Sequence, residues 1–164
     1  MSKSARIAVD SAPIAYVSTN LYTANFGMIN AHLTDYDIAK NERNIINNVL
    51  CKLPHKLLYK AYPEENRRYP DSNPVLGEAM RKSNIKVFKN TVDMRYFIQE
   101  YRVFITSRAT STLSWLVFSA KPIIFINWCD DNPLTQEAHN SFSKAMFVFN
   151  SNERDFYQKL LNFL

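Results

Sequence analysis

A hydroxyl-rich turn with one arginine is the segment of this sequence best suited to bind an anion. Residues 107–112 read Ser-Arg-Ala-Thr-Ser-Thr, and we predict that a buried strand ends at Thr106 and a helix begins near Thr110. The free N–H groups and positive dipole end of such a helix attract an anion, and a guanidinium adds a charge-assisted hydrogen bond. Because Ser and Thr are also ordinary helix N-caps, capping alone is the alternative explanation. The predicted phosphate-binding residues of this turn are Ser107, Arg108, Thr110, Ser111 and Thr112.

Two further polar residues follow predicted strands and belong to the same hypothesis. Lys60 ends the apolar run Leu57-Leu-Tyr, and Thr19 follows the predicted strand Ile14–Ser18. Open α/β sheets bind their ligands at the carboxyl ends of the strands, so we expect both residues at the same sheet edge as residues 107–112. The alternatives are a surface lysine whose ammonium reaches water and a threonine that stabilises a turn.

Glu137 follows the predicted fifth strand, where its carboxylate is suited to accept hydrogen bonds from a ribose diol. An ordinary carboxylate in the first turn of a helix is the alternative. The three histidines and two cysteines have neither HExxH nor CxxC spacing, so no metal site is predicted. Without a GxSxG elbow, and with no histidine placed as a partner for either cysteine, the sequence names no catalytic residue.

Composition excludes several classes of protein. The chain has 164 residues and only two glycines, which leaves no room for a GxGxxG or GxxxxGK[ST] phosphate loop. The net charge of +5 favours an anionic partner. No basic run reaches the about five to eight residues typical of a nucleic-acid patch, so no nucleic-acid partner is expected. Without a signal-peptide pattern or an apolar run long enough to span a bilayer, we expect a cytoplasmic protein, and peripheral membrane association stays open.

Short apolar runs alternate with amphipathic segments along the chain. The apolar runs are continuous, which is typical of strands covered on both faces in a parallel sheet. Six strands are predicted, at Ile14–Ser18, Lys56–Ala61, Ile85–Phe88, Arg102–Thr106, Pro122–Asn127 and, as a sixth candidate, Ala145–Phe149. Helical periodicity lies within Asp37–Leu50, from Pro74, over Met94–Tyr101, over Thr110–Ala120 and from Ser151 onward. The pattern predicts an α/β, Rossmann-like fold: an open, mostly parallel sheet of five to six strands with flanking helices. Residues 14–164 form the predicted domain, after an N-terminal extension over residues 1–13.

Three segments together resemble the C-terminal, nucleotide-sugar-binding half of a GT-B glycosyltransferase. They are Lys60-Ala-Tyr-Pro, Thr110-Ser-Thr-Leu-Ser-Trp-Leu and Ser119-Ala-Lys-Pro-Ile-Ile. They are similar to the motifs of bacterial capsule and lipopolysaccharide enzymes of the Kdo-transferase, polysialyltransferase and CDP-glycerol glycerophosphotransferase kind. The resemblance covers roughly residues 14–164, with a specific part of about thirty residues. Three positions depart from the motifs: Tyr62 replaces a histidine, Trp115 a glutamate and Ala120 a glycine.

The resemblance implies a domain that binds a nucleotide sugar for surface-polysaccharide biosynthesis. It implies that Lys60 and residues 107–112 neutralise the donor phosphate of a CMP-, CDP- or UDP-linked sugar, with no further cofactor. A glycan would be the acceptor, and the general base would come from an N-terminal domain or a partner subunit, so activity of this chain alone is doubtful. The alternative is a non-enzymatic α/β binding or regulatory module that has lost catalytic residues.

Overall fold

The structure is a computed structural model that describes residues 13–18, 33–61, 74–88 and 94–164. Six strands of the described residues form one open sheet in the order β3-β2-β1-β4-β5-β6, and every neighbouring pair is parallel. The strands are β1 Ile14–Val17, β2 Leu57–Lys60, β3 Ile85–Phe88, β4 Val103–Thr106, β5 Ile123–Asn127 and β6 Phe147–Asn150. This confirms the predicted α/β, Rossmann-like sheet, including its sixth strand.

Five helices cover the two faces of the sheet. They are α1 Asp35–Asn48, α2 Pro74–Met80, α3 Ser111–Phe118, α4 Gln136–Ala145 and α5 Phe156–Phe163. One apolar core joins α1, α2 and α5 to the face that carries Ile14 and Tyr16 of β1. A second core joins α3, the α4 region and residues 94–98 to the face that carries Ala15 and Val17. All four residues of β1 are therefore buried, as the continuous apolar run predicts.

The order of the strands creates a switch point at β1. The chain builds β1, β2 and β3 outward in one direction, and β4, β5 and β6 outward in the other. Between β1 and β4 the connections diverge to opposite sides, and such a crevice at the carboxyl ends is where open α/β sheets bind ligands. The carboxyl ends of β1, β2 and β4 are thus the part of the fold that matters most for a binding site.

Two predicted helices differ from what the structure contains. The periodicity over Met94–Tyr101 predicts one helix, but this stretch forms two 3₁₀ turns, Met94–Tyr96 and Ile98–Glu100. The ammonium of Lys121 takes the carbonyl oxygens of Ile98 and Tyr101, so these carbonyls are satisfied without further helical turns. The last helix begins at Phe156, later than the predicted start at Ser151, because Asp155 before it has left-handed backbone.

The connection from α3 to β5 contains the chain's Ser-Ala-Lys-Pro segment. Ala120 has left-handed backbone with φ 55°, directly after the C-cap Ser119 of α3. Glycine is the residue that adopts this conformation without strain, and the resemblance places a glycine at this position. Lys121 follows, and burial lowers the pKa of its ammonium. None of the helices in the described ranges has the length and apolar character of a membrane span.

Candidate functional site

Lys60 and Thr106 lie on either side of Val17 at the carboxyl edge of the sheet. Val17 is the register partner of Lys60 in β2 and of Thr106 in β4, so the three residues form one row on one face. Neighbouring strands lie about 4.8 Å apart, which puts the Lys60 and Thr106 backbones about 10 Å from each other. The structure therefore brings Lys60 and the start of residues 107–112 to the same edge, as predicted.

Lys60 is buried, with 2% of its surface exposed. Its Nζ donates a 2.9 Å hydrogen bond to the carbonyl oxygen of Ala61 and lies 5.3 Å from the centroid of the Phe88 ring. Ala61 is the first residue beyond β2, so the ammonium lies at the strand end. The alternative of a surface lysine in water is wrong for Lys60, because a solvated ammonium would be exposed. The buried cation instead needs partners of negative or dipolar character.

A buried carboxylate lies on the other face of the same edge. Glu42 of α1 is 1% exposed, and both of its oxygens lie 2.9 Å from the hydroxyl of Ser18, the residue after β1. The Tyr59 hydroxyl of β2 also donates to Glu42 and lies 2.8 Å from the Ser18 hydroxyl. Helix α1 is placed for this by a capping box in which Thr34 and Asp37 satisfy each other's backbone N–H. The Glu42 contacts thus tie α1 to the ends of β1 and β2.

Two stacked tyrosines complete this buried cluster. The rings of Tyr16 and Tyr59 have centroids 5.3 Å apart. Burial, followed by the nearby Glu42 carboxylate, raises the pKa of both hydroxyls well above their usual value near 10. Both therefore stay protonated and act as donors. The Tyr16 hydroxyl lies near Glu42 and Ser107 but makes no well-aligned hydrogen bond to any described residue. Sequence reasoning missed this cluster, since Glu42 lies in a polar stretch of α1.

Arg108 forms an ion pair with Asp131 across the ends of β4 and β5. The guanidinium Nη2 contacts Asp131 Oδ2. The Asp131 side chain is 2% exposed and the Arg108 side chain 20% exposed. Arg108 therefore lies at the predicted edge, but a carboxylate that the sequence analysis did not single out balances its charge. Four of the five guanidinium N–H donors lie outside this one contact, because Arg carries five.

The start of α3 presents hydroxyl groups to solvent. Thr110 is the N-cap, with extended backbone, and its side chain makes no capping hydrogen bond. Thr110 and Ser111 are exposed, Thr112 is half-buried and Ser107 is buried. The alternative in which Thr110 serves only to cap the helix is therefore not what its hydroxyl does. The N-terminus of α3 and these hydroxyls face the same edge as Arg108.

The remaining predicted positions lie apart from this edge or outside the described residues. Glu137 is exposed in the first turn of α4, which begins at Gln136 after the N-cap Thr135. Trp115, which stands where the resemblance places a glutamate, is stacked against Arg95 at 5.5 Å on α3. Thr19 and Tyr62 lie outside the described residues, as does nearly all of the predicted N-terminal extension.

The described groups favour an anion and its attached hydroxyls over a metal ion. Within residues 13–18, 33–61, 74–88 and 94–164, no three His, Cys, Asp or Glu side chains lie together as metal ligands would. The edge instead offers an ammonium, a guanidinium, hydroxyls and two buried carboxylates. No known family model matches the chain, and no curated protein sequence matches it either.

Proposed function

We propose that this chain is the nucleotide-sugar-binding domain of a glycosyltransferase that acts in bacterial surface-polysaccharide biosynthesis. The observation that carries the proposal is the row in which Val17 separates Lys60 from Thr106, at the point where the sheet order reverses. A ligand at this crevice meets the Lys60 ammonium from one side. It meets the Ser107–Thr112 segment at the start of α3 from the other.

The chemistry of these groups suits a phosphate that carries negative charge away from a sugar. A buried ammonium and a helix N-terminus stabilise such charge more strongly than water does, because they are already oriented before the charge develops. Lys60 supplies the cation, and α3 supplies the backbone dipole and the Thr110 and Ser111 hydroxyls. No cofactor is required for this role, since the nucleotide itself is the leaving group.

The rest of the reaction needs groups outside the residues described above. The general base and the glycan acceptor site would lie in an N-terminal domain or a partner subunit that closes over the carboxyl edge. We place the protein in the cytoplasm, where nucleotide sugars are substrates, with peripheral membrane association open. The activated sugar would be linked to CMP, CDP or UDP.

Calorimetric titration with CMP, CDP and UDP tests this proposal. We expect at least one of them to bind with a dissociation constant below about 1 mM, which corresponds to about −4 kcal/mol. Lys60→Met should weaken that binding tenfold or more, because the apolar side chain keeps the stem and removes the charge. Arg108→Ala should weaken it less, since Asp131 already balances the Arg108 charge.

Lys56→Met is the matched control. Lys56 lies just before β2, at the opposite end of the strand, and is exposed. It changes the net charge by the same amount without touching the carboxyl edge. No binding of any of the three nucleotides at millimolar concentration contradicts the proposal. Equal losses with Lys60→Met and Lys56→Met would mean that only long-range charge is involved.

A second candidate function is a binding or regulatory module without catalysis. The Arg108–Asp131 ion pair favours it, because the guanidinium nearest the start of α3 already has a carboxylate partner. On this alternative, the pair would hold the ends of β4 and β5 together and no nucleotide would bind. The same titration separates the two candidates.

A further inference from the structure

Asp131 combines deep burial with an unused acceptor. Its side chain is 2% exposed, and only its Oδ2 takes part in the ion pair with Arg108. Its Oδ1 has no hydrogen-bond partner in the described part of the structure. Buried carboxylate oxygens are nearly always hydrogen-bonded, because leaving one without a donor forfeits the hydrogen bonds that water gave it. An acceptor of this kind is matched to a donor that the structure does not contain.

The position of Asp131 limits what that donor can be. Asp131 lies in the turn after β5, where its N–H donates to the carbonyl oxygen of Trp128 and the following Asn132 has left-handed backbone. Its neighbours Asp130 and Asn132 are exposed. Arg108, its ion-pair partner, lies two residues before the N-cap Thr110 of α3. The free acceptor is therefore beside the helix start at which we place the nucleotide phosphate.

We propose that Asp131 Oδ1 accepts hydrogen bonds from the ribose hydroxyls of the bound nucleotide, so that the site selects ribonucleotides. This inference rests on the proposed function. Ribose is joined directly to the phosphate, so a nucleotide whose phosphate lies at the start of α3 has its sugar within reach of the neighbouring turn. Movement of the partly exposed Arg108 side chain onto the phosphate opens the carboxylate to the ligand.

Asp131 replaces Glu137 in this role. Glu137 is exposed on α4 and was the sequence-based choice for a ribose diol. An exposed carboxylate is already hydrated, so a hydrogen bond from ribose gains little over one from water. Asp131 is buried and lacks a donor at Oδ1, so the same hydrogen bond gains more. The two carboxylates therefore make opposite predictions for matched amide variants.

The experiment compares the tightest-binding of CMP, CDP and UDP with its 2′,3′-dideoxy form, by calorimetry on the full chain. We expect the wild type to bind the ribonucleotide about tenfold more tightly, since a hydrogen bond to a charged group is lost with the hydroxyls. Asp131→Asn should reduce this preference to threefold or less, whereas Glu137→Gln should keep it. Thermal unfolding of each variant checks that it is folded, and the wild-type comparison needs no variant at all.

The failure of this inference and the failure of the proposed function give different results. If nucleotides bind but the ribo and dideoxy forms bind equally, the role of Asp131 is overturned while the phosphate site stands. Loss of the preference in Glu137→Gln but not in Asp131→Asn also overturns it. If no nucleotide binds, the proposed function is contradicted and the role of Asp131 falls with it.

Discussion

Ser18 and Glu42 lie 24 residues apart in sequence, and in the fold the Ser18 hydroxyl lies 2.9 Å from both carboxylate oxygens of Glu42. The Tyr59 hydroxyl donates to the same carboxylate. One side chain of α1 thus connects the residue after β1 with β2, directly below the carboxyl edge. A buried carboxylate is costly unless several donors satisfy it, and here the donors come from two strands.

Glu42→Gln should lower the free energy of unfolding by about 2–4 kcal/mol, because hydrogen bonds to a buried charge are worth about 1.5–3 kcal/mol each. Urea unfolding followed by circular dichroism measures the change. Lys40→Ala is the control on the same helix, because Lys40 is exposed and its change should stay within about 0.5 kcal/mol. A Glu42→Gln protein as stable as the control would mean that the cluster contributes little.

Stability should fall in acid through Glu78. Its carboxylate lies 2.8 Å from Lys82 and 2.6 Å from Arg81. Hydrogen bonds from Lys82 and Arg81 lower its pKa from 4.5 to about 2. The proton is therefore bound more tightly in the unfolded chain, so the stabilisation is complete above about pH 4.5 and is lost as the pH falls through about 2.

We expect this stabilisation to be about 1 kcal/mol, since Arg81 is 67% exposed and water screens the pair. The difference in unfolding free energy between the wild type and Glu78→Gln should shrink toward zero between pH 5 and about pH 2. Lys82→Met, which removes one partner, should give part of the same loss. A difference that stays constant over this range would contradict the assignment.

Ala120→Gly should stabilise the protein. Ala120 has φ 55°, and left-handed backbone costs a residue with a Cβ about 1–2 kcal/mol. Glycine avoids that cost but loses more conformational entropy on folding, which leaves a gain of about 0.5–1 kcal/mol, or a rise of about 1–4 °C in Tm. Ala145→Gly, at the end of α4, should have the opposite sign. Calorimetric melting of the two variants gives the comparison.

The outer and inner faces of α3 should respond very differently to mutation. Phe118 is 82% exposed, whereas Leu116 is fully buried in the second core. Phe118→Ser should change the unfolding free energy by no more than about 0.5 kcal/mol. Leu116→Ala should lower it by about 2–5 kcal/mol, because it leaves a cavity. Chemical denaturation measures both, and similar losses would mean that Phe118 is packed against the rest of the chain.

The sheet could be predicted because its information is local. The run Ile123-Ile-Phe-Ile is too apolar and too short for an exposed element, and it forms β5 at the predicted place. Residues 107–112 and Lys60 were predicted at one edge because parallel strands all end on the same side. The helix predicted over Met94–Tyr101 was wrong because a lysine about twenty residues later satisfies its carbonyl groups, which no local pattern reveals.

The carboxylates of the site could not be predicted for a similar reason. Glu42 lies in the polar stretch Lys-Asn-Glu-Arg-Asn, which reads as solvent-exposed, and Asp131 lies in a sequence typical of a turn. Each becomes significant only through residues 17 to 24 positions away in sequence, such as Tyr59, Ser18 and Arg108. Such contacts depend on which strands become neighbours, and the order of the strands is set by the whole chain.

The central place of β1 also affects how the protein is made. β1 leaves the ribosome before the other described strands, yet its partner β4 follows about 90 residues later in the chain. At synthesis rates of about 5–20 residues per second, β1 waits roughly 5–20 s before β4 can pair with it. During that interval the apolar strand has only one of its two neighbours, so the nascent chain exposes a pairing edge that chaperones are expected to protect.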